Sequence, residues 1–273
     1  MPELPEVETV RRGLAEVLGG DAVIARMELR RRDLRAAIPR TLPARLAGQR
    51  VLAVRRRAKY LIIDTPGVSL LSHLGMTGTW RVAPIGDERD HDHCYLHLAD
   101  GRRLAFRDPR RFGLLDLIEP GGDARHPRLR GLGPEPLDAR AFSADYLAAL
   151  CAGRKVAIKP LIMDQRVVVG VGNIYAAEAL FRAGIRPTKP ARRVRREALG
   201  ALVESIRSVL DAAIAAGGST ISDYRQAGGE GGWFQHDFQV YDRAGLACRR
   251  CAAPLVGKVL GGRSTVWCRA CQR

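Results

Sequence analysis

The sequence predicts an α+β protein in which an N-terminal helix and an antiparallel β domain precede a helical domain and a small metal-binding ribbon. Three changes of pattern predict this order. Apolar residues recur at three- and four-residue spacing in residues 4–18, short β-rich runs fill residues 22–120, and helical spacing returns after residue 138. The last 26 residues then hold four cysteines in two close pairs.

The first helix is predicted over residues 4–18, where the apolar side chains share one helical face and Gly19-Gly20 ends the segment. Proline and acidic residues suit a first helical turn, which accounts for Pro5 and Glu6. The same explanation fits Pro2 and Glu3, for which a catalytic role is the alternative.

The β-rich region predicts an antiparallel sandwich or barrel, because its runs are short and turn residues such as Pro66-Gly67 separate them. The runs are VIARMEL, RVLAVRR, KYLIID, VSLLSHL, CYLHL, RRLAFR and FGLLDLI.

Beyond a linker at residues 131–138, helices are predicted over 143–152, about 155–165, 173–184 and 195–216. A glycine-flanked turn directly precedes the third of these helices, and backbone N–H groups at such a helix start favour an anion. A simple helix cap at Asn173 fits the same pattern. Four glycines in residues 228–232 predict a mobile loop.

The C-terminal cysteines follow the pattern C-x2-C, sixteen residues, C-x2-C, which is typical of a zinc ribbon. Four thiolates leave no open coordination position, so the predicted ion, one Zn²⁺, is structural. Two disulfides are the alternative, which the absence of a signal-peptide core disfavours. The segment between the pairs predicts a hairpin that presents Arg263 beside its Gly261-Gly262 tip. The predicted ligands are Cys248, Cys251, Cys268 and Cys271.

The formal net charge of +16 favours a polyanionic partner. Five separated Lys/Arg clusters, such as Arg55-Arg56-Arg57, indicate an extended phosphate-contacting surface, although a genome that prefers arginine explains part of the excess. No apolar run approaches the roughly 20 residues that span a bilayer. We therefore expect a nucleic-acid partner, no membrane, and a cytoplasmic protein associated with the nucleoid.

Eight motifs, in order along the chain, resemble bacterial formamidopyrimidine-DNA glycosylase. The resemblance implies a β-sandwich, a helix-two-turns-helix domain and a zinc finger, with domains at 1–132, 133–234 and 235–273. It also implies a monomer that excises oxidised purines from double-stranded DNA and then cleaves the abasic strand. The motifs are PELPEVETVRRGL, RRRAKYL, SHLGMTG, DPRRFG, LGPEPL, AIKPLIMDQ, GVGNIYAAEALF and the ribbon with GRSTVWCRACQ.

Family positions carry over onto particular residues. The resemblance makes Pro2 the nucleophile once Met1 is removed, Glu3 the general acid/base, Lys59 the proton donor in β-elimination and Arg263 the residue that assists δ-elimination. Glu6 resembles a supporting position. The implied backbone contacts are His73, His91, Arg154, Lys159 and Asn173, and the implied wedge that replaces the extruded base is Met76, Arg110 and Phe112.

Each residue also has an ordinary structural interpretation: a solvated strand charge for Lys59, and core packing for Met76 and Phe112. For the whole chain, the alternatives are an endonuclease VIII-like enzyme for oxidised pyrimidines and a zinc-ribbon nucleic-acid binder without activity. Two residues depart from the family pattern. Ala252 replaces a common glycine, which predicts a strained knuckle, and bulky Trp233 lies in the lesion loop.

Overall fold

The computed structural model describes residues 1–219 and 232–273, and these form two compact units. The first unit contains residues 1–130 with the described parts of 216–233, and the second contains 131–215 and 234–273. The division into three domains stays a prediction, and most of the glycine-rich loop lies outside the described residues. Among the helices of the described chain, none has the length and apolarity needed to cross a membrane.

The first unit consists of two helices and nine strands in its described residues. The predicted N-terminal helix is confirmed over the expected residues, and Glu3 and Glu6 form a capping box at its start. The elements are α1 (Leu4–Leu18), β1 (Val23–Leu29), α2 (Leu42–Leu46), β2 (Gln49–Arg50), β3 (Ala53–Arg57), β4 (Tyr60–Asp64), β5 (Ser69–His73), β6 (Thr79–Val82), β7 (Asp92–Leu98), β8 (Arg103–Arg107) and β9 (Leu114–Ile118).

The strands form two antiparallel sheets, with orders β2-β1-β7-β8-β6 and β3-β4-β5-β9. Side chains from both sheets and from the apolar face of α1 share one buried cluster, so the predicted sandwich is confirmed. Trp80 of β6 donates its indole N–H to the Ser72 hydroxyl of β5 at 3.0 Å, which joins the two sheets through the core.

Three details of the first unit differ from the sequence-based prediction. The run RVLAVRR is not one strand, because the Val51 N–H donates to the Ala22 carbonyl and the Leu52 N–H donates to the Asp64 carbonyl. The chain therefore leaves one sheet and enters the other within two residues. Strand β6 and helix α2 were not predicted, since four or five residues carry too little periodicity.

The second unit combines four helices with a two-stranded antiparallel hairpin in its described residues. The predicted helices and hairpin are confirmed, with the second helix shorter than expected. The buried Glu178 accepts hydrogen bonds from the N–H groups of residues 239–241, which fixes the chain that leads to the hairpin. The elements are α3 (Ala144–Cys151), α4 (Ile158–Met163), α5 (Asn173–Arg182), α6 (Arg196–Ala215), β10 (Leu255–Leu260) and β11 (Arg263–Cys268).

Candidate active site and nucleic-acid contacts

The first two predicted catalytic residues lie at the buried start of α1. Pro2 is buried, Glu3 is 3% exposed, and Met1 before them is 53% exposed. One Glu6 oxygen accepts the Glu3 N–H at 2.8 Å, and the other accepts the Ser219 N–H at 2.9 Å and its hydroxyl at 3.0 Å. Glu6 thus holds the backbone of Pro2-Glu3, here called the N-terminal dipeptide, through the Glu3 N–H.

Lys59 lies in the turn between β3 and β4 and is 5% exposed, so it is not a solvated strand charge. Arg56 donates to the carbonyl of Ala58 at 2.9 Å and pairs with Glu8 of α1 at 3.2 Å. Burial alone raises the pKa of Glu8, but Arg11 and then Arg56 outweigh it and lower that pKa, which keeps the pair charged. The Lys59 turn is thereby fastened to the helix that starts at Pro2 and Glu3.

His73, at the end of β5, presents an uncharged hydrogen-bond donor. Its Nδ1 lies 2.9 Å from the Gly75 N–H, so Nδ1 accepts and Nε2 carries the proton. Burial lowers the pKa of His73 to about 4, and the charges of Lys59, Arg35 and Arg128 lower it further. A neutral imidazole binds a phosphate through one N–H donor rather than through charge.

The predicted wedge residues are exposed, which excludes core packing for Met76 and Phe112. Their exposed fractions are 39% and 44%, and the Arg110 guanidinium lies 5.0 Å from the centre of the Phe112 ring. His91 is exposed as well, in a left-handed backbone conformation with φ of 70°.

In the second unit, Lys159 differs from an ordinary surface polar residue because it is 1% exposed. Its Nζ donates to Asn173 Oδ1 at 2.7 Å, to Thr265 Oγ1 at 2.9 Å and to the Ser264 carbonyl at 3.3 Å. The helix cap proposed at Asn173 is wrong: Gly172 is the N-cap, and the Asn173 side-chain oxygen accepts from Lys159. Arg263, next to Ser264, is exposed, as is Arg154.

The four cysteines form the predicted cluster. Their sulfur atoms all lie within 4.8 Å of one another, and those of Cys251 and Cys268 are 3.5 Å apart. Tetrahedral zinc with bonds of about 2.3 Å needs sulfurs about 3.8 Å apart, so the set fits a metal ion. Ala252 has φ of 61°, a left-handed conformation that costs a non-glycine residue energy, at the position where the sequence predicts a strained knuckle.

Sequence reasoning missed three side chains that hold the predicted residues in place: Arg56, Thr77 and Asp108. The sequence identified Arg56 only as a member of a basic cluster, and it identified Asp108 only as the first residue of the motif DPRRFG. Asp108 is 0% exposed and accepts hydrogen bonds from Thr77 and from the Gly113 N–H. The available signal was an acidic residue inside an otherwise basic motif, since a buried carboxylate needs donors around it.

Comparisons with known proteins agree with this arrangement. Residues 1–115 match the family model for the formamidopyrimidine-DNA glycosylase N-terminal domain, and residues 132–225 match that for its H2TH domain. A formamidopyrimidine-DNA glycosylase of Bdellovibrio bacteriovorus is 53% identical over all of both chains. The crystal structure of the MutM (Fpg) protein of Thermus thermophilus is 41% identical, with a TM-score of 0.88 over 99% of this chain and 98% of that one.

The Lactococcus lactis Fpg, solved in complex with DNA that contains an abasic site, is 34% identical and superimposes with a TM-score of 0.91 over 99% of each chain. The 53% identity to the Bdellovibrio protein covers the full length, from the N-terminal helix to the cysteine cluster. The two domain models match residues 1–115 and 132–225. This chain belongs to the formamidopyrimidine-DNA glycosylase family.

Proposed function

We propose that this chain excises oxidised purines, including 8-oxoguanine and formamidopyrimidines, from duplex DNA and then cleaves the strand by β,δ-elimination. Membership of the glycosylase family supports the reaction class. The observation that carries the residue assignment is the junction in the first unit: Pro2 and Glu3 are buried at the start of α1, and the Lys59 turn is tied to α1 through Glu8 and Arg56.

In the proposed chemistry, the Pro2 amine attacks C1′ of the damaged nucleotide. The N–C1′ bond forms as the glycosidic bond breaks, and the base leaves with the electron pair and takes up the proton that the Pro2 nitrogen releases. Glu3 transfers a proton to O4′ as the sugar ring opens, which leaves a cationic iminium. Water takes the C2′ proton, and the 3′ phosphate leaves with the C3′–O bond pair and a proton from Lys59. Loss of the C4′ proton to water then expels the 5′ phosphate, which Arg263 assists. An unperturbed α-amino group has a pKa of about 8, so part of it is neutral at neutral pH.

The remaining assigned residues bind and open the duplex. Extruding a nucleotide costs a few kcal/mol, which the wedge of Met76, Arg110 and Phe112 offsets by filling the space left in the stack. The backbone contacts are assigned to His73, His91, Arg154 and Asn173, with Lys159 acting from behind Asn173. Because the proposed substrate is damaged duplex DNA, we assign the protein to the cytoplasm at the nucleoid.

The ion assigned to the cysteine cluster is zinc. Cys248, Cys251, Cys268 and Cys271 hold it, and four thiolate ligands make it structural rather than catalytic. Its role is to stabilise the hairpin that carries Arg263, since so short a segment cannot bury a core of its own.

Incision assays on matched duplexes test this function. One duplex carries 8-oxoguanine opposite cytosine, and the other carries an oxidised pyrimidine in the same sequence context. The proposal predicts that the strand with 8-oxoguanine is incised faster. The reverse order identifies an endonuclease VIII-like specificity. Tight, salt-sensitive binding with no incision of either duplex identifies a non-catalytic binder.

A further inference from the structure

One buried carboxylate joins the two loops that carry the wedge. Asp108 Oδ1 accepts a hydrogen bond from Thr77 Oγ1 at 2.6 Å, and Oδ2 accepts the Gly113 N–H at 2.7 Å. Thr77 Oγ1 in turn accepts the Arg110 N–H at 3.2 Å. The loop of Met76 and the loop of Arg110 and Phe112 therefore share one continuous chain of hydrogen bonds, here called the Asp108 clamp.

The main chain of Asp108 extends this clamp to a third loop. Its N–H donates to the carbonyl of His91 at 3.0 Å, and its own carbonyl lies 2.9 Å from Nε2 of the buried His93. A carbonyl only accepts, so Nε2 of His93 carries the proton. The exposed His91 is thus held by the same residue as the wedge loops.

Close packing removes the remaining freedom between the wedge loops. Gly75 has φ of 65°, and a Cβ added there would lie 2.3 Å from the Phe112 carbonyl carbon. Only a glycine permits this approach. The two exposed apolar side chains, Met76 and Phe112, therefore project from loops that are in backbone contact.

We propose that Asp108 and Thr77 are positioning residues that pre-organise Met76, Arg110 and Phe112 as one rigid wedge before DNA binds. This inference rests on the wedge assigned under the proposed function. A wedge on loose loops has to be ordered during base extrusion, whereas a clamped one has its ordering cost met on folding. The clamp is then expected to speed excision of a paired base but not cleavage at a preformed abasic site, because the abasic site has no base to extrude.

Thr77→Val tests the clamp, since valine keeps the shape but removes the hydroxyl from both hydrogen bonds. We expect excision of a paired 8-oxoguanine to slow about tenfold, the effect of losing one charge-assisted hydrogen bond, with cleavage of a preformed abasic site nearly unchanged. Fluorescence of 2-aminopurine opposite the lesion should rise less on binding, and the Arg110 amide should exchange its hydrogen faster. Thr77→Ser keeps the hydroxyl and should excise 8-oxoguanine at the wild-type rate.

Phe112→Ala, measured in parallel, separates the two assignments. Selective loss in Phe112→Ala without selective loss in Thr77→Val overturns the clamp alone. If Phe112→Ala slows both substrates equally, the wedge assignment fails and the clamp proposal fails with it. Equal slowing of both substrates by Thr77→Val, or failure of Thr77→Ser to restore excision, makes the clamp a general stabilising feature and contradicts the proposal.

Discussion

The two units hold their predicted functional groups by opposite electrostatic means. In the first unit, the buried carboxylates of Glu6 and Asp108 accept hydrogen bonds from backbone N–H groups and hydroxyls. In the second unit, the buried ammonium of Lys159 donates to Asn173, Thr265 and the carbonyl beside Arg263. Hydrogen-bond donors surround buried carboxylates in the first unit, and hydrogen-bond acceptors surround a buried ammonium in the second.

The difference follows from what each unit has to present. Loops have backbone N–H groups that no regular helix or strand pairs, and a carboxylate has about four acceptor sites for them. A phosphate contact needs donors at the surface instead. Because Lys159 binds the oxygen of the Asn173 amide, the NH₂ group of that amide is left to donate. The first unit also builds a large core, whereas the hairpin shares a smaller buried cluster with α5 that includes Cys248 and Cys268.

Among changes outside Pro2 and Glu3, removing the metal should reduce activity most. Cys268→Ser, or chelation, should lower DNA incision more than about 100-fold, because metal binding contributes on the order of 10 kcal/mol to folding such a ribbon. The sandwich core should persist, as judged by slow hydrogen exchange of the backbone amides of β4, β5 and β7. Cys151→Ala, which alters a buried cysteine outside the cluster, is the control. Full incision by protein with no bound metal contradicts this dependence.

Removing the buried cation should have the next strongest effect. Lys159→Met should weaken DNA binding about tenfold to hundredfold, because it leaves buried acceptors unpaired and frees the Asn173 amide to turn. Affinity measured against salt concentration reports how many phosphates the variant no longer neutralises, at a slope of about −0.9 for each. Lys155→Met at a neighbouring exposed lysine is the matched control, and equal weakening in both variants would reduce Lys159 to a bulk charge.

The pKa of His73 predicts a specific loss of stability in mild acid. The folded protein keeps His73 neutral down to about pH 4, whereas the unfolded chain binds a proton below about pH 6.5. The unfolded state therefore holds more protons between these values, and stability falls by about 1.4 kcal/mol for each unit as pH drops through that window. His73→Asn keeps an acceptor for the Gly75 N–H. Urea unfolding of both proteins across this range should show a shallower slope in the variant.

A change at the strained knuckle should have the weakest effect. Ala252→Gly should raise the free energy of unfolding of the metal-bound protein by about 0.5–1 kcal/mol, because glycine adopts φ of 61° without a Cβ penalty. Ala247, in the same segment, does not have a positive φ, so Ala247→Gly should lower the free energy of unfolding instead. Thermal unfolding with saturating metal measures both, and a destabilised Ala252→Gly would show that no strain is stored there.

Periodicity and spacing predicted most of this fold. The helix that follows Pro2, the sandwich, the four later helices and the cysteine hairpin all have a repeating pattern of apolar or metal-binding residues. The transfer between sheets at Val51 and the short strand at Trp80 have none, because long-range pairing decides them. Motifs also named the candidate residues but not the groups that hold them. Arg56, Thr77 and Asp108 act through contacts that the linear order does not display.

The proposed mechanism depends on the N-terminal dipeptide, fixed by Glu6, as the carrier of the nucleophile. Met1 must then be removed, and the Pro2 amine must form an iminium with the sugar. Borohydride reduces an iminium to a permanent protein–DNA adduct, so the decisive measurement is trapping on 8-oxoguanine DNA followed by peptide mapping. We expect a linkage at Pro2 that disappears when an N-terminal tag turns this amine into an amide, while salt-sensitive DNA binding survives. An adduct at Lys59, or undiminished trapping with Met1 retained, would rule this mechanism out.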